Sequence, residues 1–555
     1  MQALLLKRVA SIAVLTATLT ISGCASTGGV APQDRVPDAA TLDVGAAIRA
    51  ANADAKWPDI QWWKAYNDPQ LDAWIDAARD DSPTLAIAQA RVREALAVAR
   101  IARSALSPQV SGTLSVQREH WPDNVFYGPG PLAKQNTWNN TGTIGLEDSL
   151  DLWSRNSNSA EDALDVAHAT AADARAAQLE LDANIVRTYI GMSRDYALLD
   201  IARSTLDRQK QLLSLAQRRL AGGMGTQLDV SQAETPLPDY ERQIDVIEES
   251  IALAKNLIAA LAGKGPGAAD AITRPILVLD APVGLPSMLP AELVGHRPDI
   301  VAARWAVAAQ ARGIDVAKAD FYPNIDLLAS IGGYAAMGPL FQFFKSQSGS
   351  WTVGPAMSLP IFDGGRLRGQ LGAASAQYDE AVDRYDQTIV GALKGISDAV
   401  IRMRSVQTQE DDAQRSVAAA TTSFDLAKEG FRRGLTDYVN VLVAQTQLLH
   451  AQQNLATVEA EQLSAHASLI EALGGGIDDP SNGQKKRRSC RPNTSVRSAN
   501  YRSSINREPN KDRRQVLSRK GWLDEASSWT ALILETRNRI TVRGTTGSNL
   551  KTRNA

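Results

Sequence analysis

The sequence predicts a mainly α-helical chain with a small β part, made by duplicating one strand–strand–long helix–helix unit. Three observations carry this. Two proline-free runs, 155–223 and 366–434, have ends 68 residues apart in both cases. They are rich in Ala, Gln, Glu, Arg and Leu, which favour helix. Two proline pairs, Pro83/Pro108 and Pro298/Pro323, share a spacing of 25 residues. After the second proline of each pair, apolar and polar residues alternate with a period of two, as a half-buried strand requires.

The start of the chain sets the compartment. Lys7 and Arg8 precede an apolar run over 9–22, which is 14 residues long. A bilayer span takes about 20 residues, so this reads as a secretory signal. It ends in Ile21-Ser22-Gly23-Cys24. Small residues before a cysteine resemble a bacterial lipobox. That resemblance implies cleavage before Cys24 and acylation of the new N-terminus. Several acyl chains at one site anchor stably where one chain is marginal. Ala25 follows, with no aspartate to suggest inner-membrane retention.

In each half the proline pair brackets one helix, since proline suits a first turn and stops a later one. Val110, Gly112, Leu114 and Val116 then alternate with Gln109, Ser111, Thr113 and Ser115; Ile325, Leu327, Ala329 and Ile331 repeat the pattern. A second strand follows in each half, over 138–150 and 350–360. The intervening loops hold Gly, Pro and aromatics, including Trp121-Pro122 and Gly338-Pro339-Leu340-Phe341. Aromatic loops at strand ends suit a membrane interface.

The long runs predict helices of about 100 Å at 1.5 Å per residue. Each stops at a glycine, Gly223 or Gly434, and a return helix runs 40 residues to Gly263 or Gly474. The 25-residue helix and the return helix together match the long helix, which predicts that they stack end to end beside it. Pro236 and Pro238 predict a kink in the first return helix and none in the second.

Four strands per chain fall short of a closed membrane barrel, which needs about eight, and lipid cannot satisfy an open sheet edge. Three copies give 12 strands and a helical cylinder about 100 Å long.

The landmarks together resemble the TolC-like outer-membrane efflux channels, in particular their NodT-type lipoprotein branch. The matching stretches are Trp62-Trp63-Lys64-Ala65-Tyr66-Asn67-Asp68-Pro69, Leu289-Pro290-Ala291-Glu292-Leu293, His296-Arg297-Pro298-Asp299-Ile300, Phe321-Tyr322-Pro323-Asn324-Ile325 and Leu359-Pro360-Ile361-Phe362-Asp363-Gly364-Gly365-Arg366. The likeness covers about 55–476 and implies a homotrimeric passive duct for drugs or other small molecules. Cargo would come from an inner-membrane pump through a periplasmic adaptor. A protein-secretion conduit shares this architecture and stays open as an alternative. So does, from another class, a periplasmic coiled-coil adaptor or scaffold. The resemblance makes the helix–turn–helix tips, Gly223, Met224, Gly225 and Thr226 with Gly434, Leu435 and Thr436, the docking surface for the adaptor. It also makes Asp229 one gate acid. The second-tip equivalents are Asn440 and Val443, with Asp437 nearby as a substitute.

The resulting organisation is a signal peptide over 1–23, a lipid-anchored linker over 24–55, a first repeat over 56–270, a linker over 271–288, a second repeat over 289–476 and a tail over 477–555. Lys+Arg number 59 and Asp+Glu 61 in the 555 residues. Positions 481–555 hold 18 basic and 5 acidic residues, so the body is acidic and the tail basic. The tail lacks periodicity and reads as disordered; export argues against nucleic acid as its partner. Five dispersed histidines and two cysteines, Cys24 and Cys490, leave almost no material for a metal site or disulfide framework. No phosphate-binding glycine loop or catalytic constellation is apparent, so neither an enzyme nor a cofactor is expected.

Overall fold

The computed structural model describes residues 27–37, 43, 45–49, 57–123, 133–279, 296–335 and 341–476. The expectations for the signal segment, Cys24, Leu289 to Leu293 and the tail lie outside the described residues. In chain order the principal elements are α1 (Pro69–Asp81), α2 (Pro83–Ser104), β1 (Gln109–His120), β2 (Asn136–Ser149), α3 (Arg155–Ala221), α4 (Gln227–Glu234), α5 (Leu237–Leu261), α6 (Pro298–Ala319), β3 (Asn324–Ala335), β4 (Gly349–Ser358), α7 (Arg366–Arg432) and α8 (Tyr438–Leu473).

Both long helices contain 67 residues. Each begins at an aspartate that accepts from free N-terminal amides. Asp151 accepts from Asn156 N (2.9 Å) and Ser157 N (2.8 Å), and Asp363 accepts from Gly365 N (3.0 Å) and Leu367 N (2.7 Å). An anion there also complements the helix dipole. The return helices differ as their prolines require. α4 and α5 are separate, broken at Thr235 and Pro236, whereas α8 runs unbroken for 36 residues. Pro238 lies in the first turn of α5, where its missing N–H costs nothing.

The helices form side-by-side columns. α2 and α5 pack on one flank of α3, α6 and α8 fill the space between α3 and α7. The end-to-end stacking is present in both halves. Gly263, at φ +70, closes α5 directly against Asp81 and Pro83 at the start of α2. Gly474, at φ +97, closes α8 against His296 and Arg297 at the start of α6. A belt crosses the columns. Trp62–Tyr66 forms a 3-10 turn with Trp63 and Tyr66 fully buried, and the Tyr66 hydroxyl donates to Leu463 O at 2.8 Å. His466 approaches the same hydroxyl at 3.1 Å. Residues 272–279 are part of this belt, since Ile276 N donates to Asp68 Oδ2 (2.9 Å) and Val278 N to Tyr66 O (3.1 Å).

The strands make one antiparallel sheet in the order β1-β2-β3-β4, the same order in which the helices joined to them, α2, α3, α6 and α7, neighbour one another. Its registers set side chains in rows. One face carries Val110–Leu146–Ala329–Val353 and Gly112–Ile144–Ile331–Trp351; the other carries Ser111–Gly145–Ser330–Thr352 and Thr113–Thr143–Gly332–Ser350. The apolar face is exposed at Val110, Ile144, Ile331, Trp351 and Val353. Apolar-out and polar-in alternation is the pattern of a transmembrane barrel wall. Among the described residues, β1 and β4 have no strand on their outer sides.

Candidate gate and docking tip

The end of the helices farthest from the sheet is built from two hairpin tips. α3 ends in a Schellman closure, with Met224 N on Arg219 O (2.8 Å) and Gly223 at φ +69. α7 ends the same way, with Leu435 N on Gly430 O (2.8 Å) and Gly434 at φ +78. The left-handed conformation explains both glycines. It also turns the next side chains, Met224 and Leu435, out to solvent, where both are strongly exposed.

The tips then diverge. Thr226 and Asp229 form a capping box, with Thr226 N donating to Asp229 Oδ2 at 2.8 Å and Asp229 N to Thr226 Oγ1 at 3.2 Å. The carboxylate of Asp229 is therefore engaged by its own helix start. Asp437 occupies the corresponding cap position of α8, but its side chain makes no capping bond. Asn440 donates instead to Thr436 Oγ1 at 2.7 Å. Asp437, Asn440 and Val443 are all exposed at the start of α8. A carboxylate committed at one tip and uncommitted at the other is the electrostatic asymmetry of this end.

Four residues that sequence reasoning missed hold the tips together. Arg219 donates from one guanidinium nitrogen to Met224 O (3.0 Å) and from the other to Phe431 O, on the opposite hairpin. Its guanidinium also lies 4.6 Å from the centre of the Phe431 ring. Phe431 meets Tyr438 edge-on at 5.5 Å. Gln209 donates to Ala233 O (2.6 Å) and to the Tyr438 hydroxyl (2.9 Å). Burial pushes the Tyr438 phenol up, so it stays neutral. Around them Leu212, Ala216, Val230, Phe424, Val441 and Leu448 make an apolar plug. On the outer shoulder, hydrogen bonds from Arg432 and Arg433 hold the Glu429 carboxyl down at about 2. One clue was readable: the residue equivalent to Arg219 in the second repeat is Gly430, so at this position only the first tip carries a guanidinium.

A sheet with one apolar and one polar face, continued by two long helical hairpins with packed tips, defines the TolC-like class of outer-membrane ducts. The chain belongs to the outer membrane efflux protein family, whose model matches residues 74–264 and 289–475. It is 53% identical to the fusaric acid resistance protein FusA of Burkholderia cepacia over 483 residues, 86% of this chain and 90% of that one. It is 31% identical to the solvent efflux pump outer membrane protein SrpC of Pseudomonas putida over 412 residues, 74% of this chain and 86% of that one. Among solved structures, the outer membrane protein VceC of Vibrio cholerae is similar with a TM-score of 0.71 and 34% identity, covering 76% of this chain and all of that one. The protein is thus an outer-membrane efflux channel of tripartite pumps, a duct and not an enzyme.

Proposed function

We propose that three copies close edge to edge, β4 of one against β1 of the next, into a 12-stranded barrel and a continuous helical cylinder. The observation that carries this is the pair of open edges on a sheet whose faces already differ as lipid and lumen would require. An unpaired strand edge in a bilayer costs several kcal/mol per unsatisfied group, so closure is obligatory. The helical flanks support the reading. Ile87, Val98 and Ile101 on α2, and Val390 and Ile401 on α7, are apolar and exposed in a single chain.

In this reading Cys24 carries the lipid anchor. An adaptor docks on Met224, Gly225, Thr226, Leu435 and Thr436. Asp229, Asp437 and Asn440 line the mouth beyond it. Transport is passive: an inner-membrane pump supplies the energy, and opening separates the tips. The cargo is small, drug-like molecules; the likeness to a fusaric acid resistance protein favours aromatic carboxylic acids among them. The test pairs one cysteine on β4 with a series along β1. Disulfide ladders should stop at three chains, and the deletion strain should lose resistance to fusaric acid. Isolated subunits in native envelopes would refute the assembly. Unchanged resistance would refute that cargo.

A further inference from the structure

Above the Ile144–Ile331–Trp351 row, the apolar face of the sheet is interrupted. The next row is Leu114–Gly142–Gly333–Gly349, with three glycines side by side. The row beyond it places Asn140 between Val116 and Ala335. Left bare, this stretch would show backbone and an amide to hydrocarbon. It is not bare. The segment 341–348 that leads into β4 turns at Phe341 (φ +67) into two single-turn 3-10 helices, Gln342–Phe344 and Ser346–Ser348, and its Phe343 lies on this face. A Cβ at Gly142 would come within 2.6 Å of the Phe343 ring, and one at Gly333 within 2.0 Å of the Phe343 carbonyl. Phe343 is thereby buried and Asn140 is fully covered, while Phe341 and Phe344 remain 51% and 76% exposed.

We propose that this loop is a membrane-seated clasp, whose Phe341 and Phe344 bind the acyl chains of the outer lipid leaflet. The proposal rests on the channel reading, which makes this face the lipid face. Geometry supports it. From Ile325 to Ile331 the strand rows climb about 20 Å, or about 15 Å along the membrane normal at a usual tilt near 40°. A barrel presents an apolar band about 25 Å tall, so the strands alone are short at their upper end. The clasp sits at that end and continues the band across the glycine row. Arg118, stacked over Trp138 on the same face with 5.3 Å to the ring centre, and Lys345 next to Phe344 supply cations where lipid headgroups begin.

The test uses full-length chain with Cys490→Ser, a nitroxide at Phe344→Cys, and reconstitution in phospholipid vesicles. Val353→Cys on the strand is the lipid reference and Leu435→Cys at the tip is the water reference; the Cys490→Ser chain alone is the labelling blank. Power saturation should give residue 344 the profile of 353: open to oxygen and at least about fivefold less accessible to a nickel chelate than 435. A profile like 435 at residue 344, with 353 still lipid-like, would overturn the clasp alone. A water-like profile at 353 as well would overturn the channel reading beneath it. Adding Gly333→Ala should unseat the loop and raise nickel access at 344 about threefold with 353 unchanged. No change there would overturn the glycine seat.

Discussion

Gly263 is the point where the architecture can be tested most sharply, because it joins two helices into one column. Its φ of +70 places it in the left-handed region, and a Cβ there would lie 2.4 Å from Asp81 O and 2.9 Å from Pro83 Cδ. Two other glycines separate the contributions. Gly364 has a similar φ, +65, with nothing within 4 Å of its would-be Cβ. Gly265 has an ordinary φ of −71 and open space. Alanine in the left-handed region costs about 1–2 kcal/mol. Overpacking against atoms that must move adds about 1–3 kcal/mol. Gly265→Ala is then near neutral, Gly364→Ala costs about 1–2 kcal/mol, and Gly263→Ala about 2–5 kcal/mol.

The assay is loss of far-UV helical signal on heating in detergent, all variants at one scan rate because such unfolding is governed by kinetics. Gly474→Ala, at φ +97 and 2.5 Å from His296 O, should fall with Gly263→Ala. If Gly263→Ala melts together with Gly364→Ala, the end of α5 does not abut the start of α2 and the stacked column is wrong.

Three further outcomes follow from the belt and the tips. Arg79 holds the buried Asp182 by ion pair at 2.6 Å, so Arg79→Met strands a carboxylate that burial already pushes up; it should cost about 3–5 kcal/mol, and Arg79→Met with Asp182→Leu should recover most of it in the same melts. His466 is nearly fully buried, and burial lowers its pKa to about 4 from an unfolded value of 6.5. The unfolded chain therefore takes the proton first. This contribution is complete above pH 6.5 and is lost as pH falls from 6.5 towards 4, by about 3 kcal/mol in all; His466→Leu should flatten that part of the stability–pH curve. Arg219→Ala removes two charge-assisted bonds and a ring contact, and should speed thermolysin cleavage over 221–226 about tenfold or more; Arg219→Lys should fail to restore it, because an ammonium lacks the fork that reaches both carbonyls.

What could be read from the sequence was whatever local backbone chemistry decides. Pro83 and Pro298 open helices because a first turn needs no N–H there, and Gly223 and Gly434 end helices because only glycine takes the left-handed turn freely. Pro236 broke the first return helix for the same kind of reason. The duplication then supplied what no single segment could, since matched spacings imply matched columns. What stayed hidden depends on where distant segments meet. The pairing of β2 with β3 joins residues from opposite halves, and no periodicity encodes it. Arg219 reads as one more basic residue in a last helical turn, and only the arrival of Phe431 from the other hairpin makes it a tie. Likewise Gly142 and Gly333 look like weak points in two strands until the register sets them side by side under Phe343. The candidate tip was thus locatable to within a few residues from turn chemistry and the matched spacings of the repeat. The contacts that tie it were not, because the repeat is the symmetry that Asp229 against Asn440 and Arg219 against Gly430 break.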